Sequence, residues 1–290
     1  MTTPTQQTQP LRPTRSLHSR VAIVTGAGSA AGGIGNGRGA AILLAEDGCA
    51  VICVDLDLDL AQETVELIRR DGNGKAKAVT ADVTKADDCK RVVDLAVSEY
   101  GRLDILVNNV GVKGPKGSAV DVDMAAFLSG MEINVCSMVQ MAKYAVPVMA
   151  MNDGQWAGSI VNVSSVAGML GGTPNLLYPT SKGAVINMTR AMAANHASQR
   201  IRVNCICPGT VYTPMVYGTG IAMSEGIRKA RASKTLLGTE GTGWDVGSAV
   251  RFLAGDLSRW VTGVILPVDG GLTAAVPMEG MRVPFEKIEQ

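Results

Sequence analysis

Histidine is nearly absent from this chain, with two in 290 residues, His18 and His196. Neither sits in a metal-ligand spacing, and no serine-hydrolase order of nucleophile, acid and base can be built around them, so no metal site is expected. The six cysteines form no C-x-x-C pair. Several fall in apolar strand patterns, which predicts buried free thiols and a reducing, cytoplasmic compartment. A surplus of charge is also missing: 27 Lys and Arg face 26 Asp and Glu, a net +1. Nothing there points to nucleic acid or an anionic membrane as a partner. No run reaches the roughly 18 apolar residues of a membrane span. Residues 1–20 are polar, carry Pro4, Pro10 and Pro13, and lack the apolar core of a secretory signal; a disordered tail over 1–19 is expected. Internal repeats and low-complexity segments are absent.

What remains is an apolar-rich chain, 46% by composition, long enough for one good-sized core. Strand patterns fall near 21–25, 50–54, 76–80, 104–107, 159–163, 201–207 and 263–267. Helical patterns fall near 34–47, 59–71, 85–99, 123–150, 178–198 and 244–254. The alternation predicts an α/β fold: a doubly wound parallel sheet in a three-layer, Rossmann-type sandwich, forming a single domain. Ligands of such sheets bind beyond the strand C-termini, where the strand order reverses.

Val21–Thr25 runs into a glycine-rich turn, Gly26-Ala27-Gly28-Ser29-Ala30-Ala31-Gly32-Gly33-Ile34-Gly35, and then into a helical pattern. Glycines let a backbone approach a pyrophosphate, and a helix N-terminus offers it unpaired N–H groups. The next apolar run ends in Asp55, a carboxylate placed to accept from the ribose hydroxyls of NAD. Asp57 and Asp59 follow with no nearby Lys or Arg, and like charges repel a 2′-phosphate, so NAD is expected over NADP. Asp57 and Asp59 can instead be caps of the next helix, which leaves the choice to Asp55.

Tyr178 and Lys182 stand four residues apart in YPTSK, one helical turn, so phenol and ammonium share a face. Pro179 fits only the first turn of a helix and therefore puts Tyr178 at the helix entrance. A positive charge beside a phenol lowers its pKa and lets it exchange a proton with a substrate oxygen.

With these motifs in this order, the chain resembles the short-chain dehydrogenase/reductase family from about Arg20 to Leu272. Thr25-Gly26 through Gly33-Ile34-Gly35 looks like the family's cofactor loop, and Asp82-Val83 like the pair that meets the adenine. Asn108-Asn109-Val110-Gly111 is similar to its Asn-Asn-Ala-Gly segment. Asn134 and Ser165 match catalytic positions, Ser165 thirteen residues before Tyr178. Pro208, Gly209, Val211 and Thr213 look like the segment at the nicotinamide end, and Val268-Asp269-Gly270-Gly271 like the C-terminal signature. Two departures stand out. The loop from Gly26 to Gly33 is three residues longer than the common form, read as a glycine- and alanine-rich bulge, and Val110 replaces alanine.

The resemblance implies hydride transfer between NAD(H) and a secondary alcohol or ketone, with Tyr178 as general acid/base. Lys182 would hold the nicotinamide ribose and lower the Tyr178 pKa, Ser165 would bind the substrate oxygen, and Asn134 would hold a water leading from Lys182 to solvent. Ser164 is the competing serine. Cofactor contacts are expected at Gly26, Gly28, Gly33, Ile34, Asp55, Asp82, Val83, Asn109 and Gly111, besides Tyr178, Lys182 and the 208–213 segment. Met169, Thr173, Asn175, Tyr212 and Met215 are candidate substrate contacts for a mostly apolar molecule. Pro214–Leu237, with Gly218, Gly220 and Gly226, looks like the family's lid. The methionines clustered on the two long helices, among them Met124, Met138, Met141, Met149 and Met192, read as packing residues. The resemblance further implies a homo-tetramer paired through those helices. The expected organisation is a domain over 20–272 and an extension over 273–290. Two alternatives are an NADH-dependent carbonyl reductase of a biosynthetic pathway and a non-catalytic NAD-binding regulatory protein.

Overall fold

The computed structural model describes residues 12–72, 74–218 and 223–275. Along the chain lie β1 (Val21–Thr25), α1 (Asn36–Glu46), β2 (Ala50–Asp55), α2 (Leu58–Gly72), β3 (Ala76–Thr80), α3 (Ala86–Tyr100), β4 (Ile105–Asn108) and α4 (Met124–Met131). They are followed by α5 (Ser137–Ala150), β5 (Gly158–Val163), α6 (Leu177–Asn195), β6 (Ile201–Pro208), α7 (Pro214–Tyr217), α8 (Glu225–Ala232), α9 (Gly243–Ala254) and β7 (Ile265–Val268). Among the described residues the strands form one parallel sheet in the order β3-β2-β1-β4-β5-β6-β7. The order reverses between β1 and β4, so the crevice for a ligand opens beyond the ends of those two strands.

Why the strands read as continuous apolar runs is visible in β1. Ala22 and Val24 face one core with residues of α1, α2 and α9, such as Leu44, Val65 and Val250. Val21 and Ile23 face the other with residues of α3, α5 and α6, such as Val92, Met141 and Met192. A strand alternates faces with period two, and helices on both sides bury both sets. The sheet is thus the doubly wound one that the sequence predicts.

Four details differ from expectation. The helix expected over 123–150 is broken into α4 and α5 by a π turn over Glu132–Cys136 that contains Asn134. Hydropathy cannot show one extra residue in a helical turn, and such turns concentrate at functional sites. The chain from Arg15 to Ser19 does not belong to a loose tail. Leu17 is 1% exposed, its N–H donates to Asp47 O at 2.7 Å, and Arg15 pairs with Asp47 at 3.0 Å. Burying one leucine is worth about 1.5–3 kcal/mol, and the two contacts with Asp47 add to it against the entropy of ordering the strap. Cys136 is exposed, whereas the other five free cysteines are buried. Among the methionines, Met138, Met141, Met149 and Met192 are in the core, but Met124 is 58% exposed.

Candidate active site

The ends of β1 and β4 are laced together before any ligand is considered. Thr25 Oγ1 donates to Val107 O and accepts from Asn109 N, at 3.2 and 3.1 Å. Asn109 Nδ2 donates to Gly26 O at 3.0 Å. Gly26 has φ +65°, and a Cβ there would lie 2.9 Å from Asn109 Nδ2. A Cβ on Gly37 would collide with Gly26 O. Only glycine at both places lets α1 rise straight from the turn, presenting first-turn N–H groups that have no intrahelical acceptor.

On the adenosine side, Gly28 N donates to Asp55 Oδ2 at 2.9 Å and Asp57 N to Asp55 Oδ1 at 3.2 Å. Asp57 Oδ1 then accepts from Asp59 N and Leu60 N, so Asp57 serves as the start of α2. Asp82 turns its carboxylate onto Thr84, accepting from its N and Oγ1 at 2.9 and 2.7 Å. Asp55, Asp82, Val83 and Lys85 line one cavity of about 730 Å³. Lys85 is a cation that the sequence does not place near Asp55, because it lies thirty residues further on and shares the cavity with it only once β3 has paired with β2.

The same cavity runs on to Asn109, Gly111, Thr213, Tyr178 and Lys182. Tyr178 and Pro179 lie in the first turn of α6, as the proline requires. Lys182 is 4% exposed, and its Nζ donates to Val163 O at 3.0 Å. Burial depresses its pKa to about 8, opposed by the thiols of Cys205 and Cys207. The Tyr178 phenol moves the other way: burial raises it above its ordinary value, and a hydrogen bond with Ser165 pulls it partly back. The expected lowering by Lys182 is therefore absent in the free protein. The ammonium is turned to the Val163 carbonyl, 5.8 Å from the phenol ring centroid.

The two serines separate cleanly. Ser164 Oγ donates to Lys182 O at 2.7 Å, whereas Ser165 is the serine whose hydroxyl favours the ionised phenol. Ser165 also accepts from Ala167 N at 3.1 Å, which fixes its rotamer. Asn134, fully buried, places its side chain against the main chain of Val112: Oδ1 accepts from Val112 N at 2.7 Å and Nδ2 donates to Val112 O at 2.9 Å. Nδ2 also donates to Ser181 Oγ at 2.9 Å. The Asn134 side chain is thus tied to the cavity wall and to α6.

Several expected contacts lie elsewhere. Gly33 and Ile34 do not line the cavity; Ser29, Gly35, Asn36 and Gly37 do. The longer loop shifts the phosphate-facing amides past the glycine that the family pattern would choose, and Gly33 instead backs onto Tyr217 of α7. Asn36 Oδ1 is buried without a partner, at the foot of this cradle. Pro208, Gly209 and Val211 also stand behind the cavity wall: Gly209 N donates to Val268 O, and a Cβ on Gly209 would lie 2.5 Å from Asp269 Cβ. Of the segment, Thr213, with Pro214 and Met215, reaches the cavity. Tyr212 stacks on Tyr217 at 4.6 Å with Arg228 4.0 Å above its ring. Asn175 pins the opposite rim through Gly114 O and Pro115 O. Met169 and Thr173 are exposed outside it, and Gly220 lies outside the described residues. No helix among the described residues is long and apolar enough to cross a membrane.

A family model described as enoyl-(acyl carrier protein) reductase matches residues 28–273. The chain is 37% identical over 255 residues to cis-4-hydroxycyclohexanecarboxylate dehydrogenase of Sinomonas cyclohexanicum, covering 88% of this chain and 97% of that protein. It is similar to a solved structure from Burkholderia xenovorans described as a short-chain dehydrogenase/reductase. That likeness has 38% identity and a TM-score of 0.83, and covers 90% of this chain and 99% of the other. A second solved structure is a 7α-hydroxysteroid dehydrogenase complexed with NADH and 7-oxo glycochenodeoxycholic acid. Here identity is 33%, the TM-score 0.80 and the coverage 89% and 95%.

Proposed function

Since the chain belongs to the short-chain dehydrogenase/reductase family, we propose that it interconverts a secondary alcohol and its ketone with NAD(H), Tyr178 carrying the proton. That it is an oxidoreductase of alcohol and carbonyl groups follows from the family and from relatives that act on hydroxycyclohexane and hydroxysteroid substrates. The observation that carries the finer reading is the single cavity, with the glycine turn and Asp55 at one end and Tyr178 and Lys182 at the other.

The residues fit a dinucleotide. Gly26 and Gly37 let α1 begin directly beneath the turn, so the unpaired first-turn N–H groups of Asn36 and Gly37, which are donors, lie at the cavity wall. NAD(H), when bound, supplies or accepts the hydride at its nicotinamide carbon. Tyr178 then takes the hydroxyl proton in oxidation and returns it in reduction. Ser165, whose hydroxyl favours the ionised phenol, hydrogen-bonds the substrate oxygen and steadies its developing charge. Lys182, four residues from Tyr178 on the same helix face, holds the nicotinamide ribose once it leaves the Val163 carbonyl. Asn134 fixes Val112 and so the wall opposite Tyr178.

Asp55 favours NAD over NADP, because its carboxylate stands where a 2′-phosphate would arrive; Lys85 offsets part of that repulsion. Val112 and Met215 give the substrate end an apolar lining, which with the relatives points to a secondary alcohol on a saturated ring. The free cysteines suit a reducing cytoplasm, and a homo-tetramer through α5 and α6 suits the family. The test is turnover of hydroxycyclohexanes and hydroxysteroids against linear alcohols, each with NAD⁺ and NADP⁺. Equal or better kcat/KM with NADP⁺ overturns the cofactor choice, and a solution mass of one chain overturns the tetramer.

A further inference from the structure

Arg38 has the largest side chain that is fully buried among the described residues, 1% exposed, and nothing in the chemistry above uses it. It sits on α1 one residue past Gly37, where the helix needs only a small or apolar side chain. Taking a guanidinium out of water is costly unless every donor finds a partner, and removing one partner strands the rest. Its partners, the α2 residue Glu63 apart, belong to the glycine turn or to what touches that turn. Nη1 donates to Gly33 O at 3.0 Å. Nε donates to Thr64 Oγ1 at 3.0 Å, and Thr64 Oγ1 in turn donates to Ala27 O at 2.8 Å. Nη2 donates to Leu60 O at 3.2 Å and pairs with Glu63 Oε2 at 2.8 Å. Leu60 is the side chain packed beneath Gly28, beside Asp55.

Between Ala27 and Gly33 the chain makes a short helical turn, Ala30–Gly32, whose neck is closed by Ser29 Oγ accepting from Gly35 N at 2.9 Å. A glycine- and alanine-rich excursion of this kind has few side chains of its own to hold it. Arg38 grips its far limb directly and its near limb through Thr64, and ties both to α2.

We propose that Arg38 is a positioning residue for the dinucleotide: it fixes the extended glycine turn so that the amides of Asn36 and Gly37 and the Gly28–Asp55 pair are presented together. The fork of a guanidinium is what allows this, since it aims separate N–H groups at Gly33, Thr64, Leu60 and Glu63 at once, and an ammonium cannot. The inference rests on the reading of the cavity as a dinucleotide site.

The experiment measures NADH and ADP affinity by titration, KM and kcat for NAD⁺, and the melting temperature. It compares wild type with Arg38→Met, Arg38→Lys and Glu63→Gln. The expected result is a rise of about tenfold or more in Kd for both NADH and ADP in Arg38→Met, with Arg38→Lys between. KM for NAD⁺ should rise in step, and kcat at saturating NAD⁺ should fall by less than about threefold. A lowered melting temperature with both Kd values within about twofold of wild type would overturn the inference, leaving Arg38 a prop of the fold alone. If the two Arg38 variants do not fold, Glu63→Gln decides: its side chain is 48% exposed, and it should weaken NADH and ADP by about threefold, against no change. Wild type that binds NADH and ADP without oxidising any alcohol would sink the proposed function and leave this inference standing.

Discussion

The Gly28 amide and the Asp55 carboxylate are joined at 2.9 Å, so the acid that ends β2 is anchored to the glycine turn that follows β1. Asp55 is thereby held against the turn at a fixed height. With the adenosine ribose at Asp55, as proposed, a 2′-phosphate would meet a carboxylate already held by the Gly28 and Asp57 amides.

Replacing Asp55 by serine should therefore invert the cofactor preference. The repulsion is gone, and Lys85 remains in the cavity. The ratio of kcat/KM for NADP⁺ to that for NAD⁺ should rise by roughly a hundredfold, since like-charge juxtaposition costs several kcal/mol. An unchanged ratio would mean that the ribose end of the dinucleotide does not lie at Asp55.

Lys182 gives a pH signature in two forms. Its pKa in the free protein is about 8, against 10.5 for an ordinary lysine, because burial disfavours the ammonium. Below pH about 8 the folded protein carries the full cost of the buried charge. Between about 8 and 10.5 the folded state releases a proton that the unfolded chain still holds, so this group's contribution to stability improves as pH rises. Lys182→Met should flatten that part of the stability profile.

Binding should reverse the same shift. Ribose hydroxyls and the negative pyrophosphate favour the ammonium, so NADH binding near pH 9 should take up a substantial fraction of a proton. Calorimetry in buffers of different ionisation enthalpy reads this directly. Proton release, or uptake that persists in Lys182→Met, would contradict the placement of Lys182 beside the cofactor.

Asn134→Ala should separate wall from chemistry. It leaves Val112 N and O and Ser181 Oγ without their partner, a loss of about 1–3 kcal/mol in stability by thermal or denaturant unfolding. Because Val112 lines the cavity, KM for the alcohol should rise together with the fall in kcat. A kcat loss with stability and KM unchanged would show that Asn134 acts on the proton path alone.

The sequence made the frame and the reacting pair legible because both are local. β1 is set by a continuous apolar run and the Tyr178–Lys182 face by a spacing of one helical turn, and Pro179 fixes where that helix begins. What it did not disclose depends on contacts between distant segments or on balance of energies. The π turn at Asn134 depends on bonds to Val112 and Ser181, far away in sequence. Lys85 reaches the adenosine end only through the crossover from β3. Gly33 looked like a phosphate glycine, but the longer loop turns it to Arg38 and Tyr217. The direction of the Tyr178 shift was missed for a different reason. Proximity on a helix face suggests attraction to Lys182, but burial acts on the phenol more strongly, and the ammonium points to Val163.

The most direct test of the central claim is NADH formation, followed by absorbance, from NAD⁺ and a ring-borne secondary alcohol with wild type and Tyr178→Phe. The phenyl ring preserves the packing and removes only the hydroxyl. The account predicts turnover by wild type that falls by about 10²–10⁴-fold in the variant, with NADH affinity retained. Turnover in Tyr178→Phe within a few fold of wild type would contradict Tyr178 as the proton carrier.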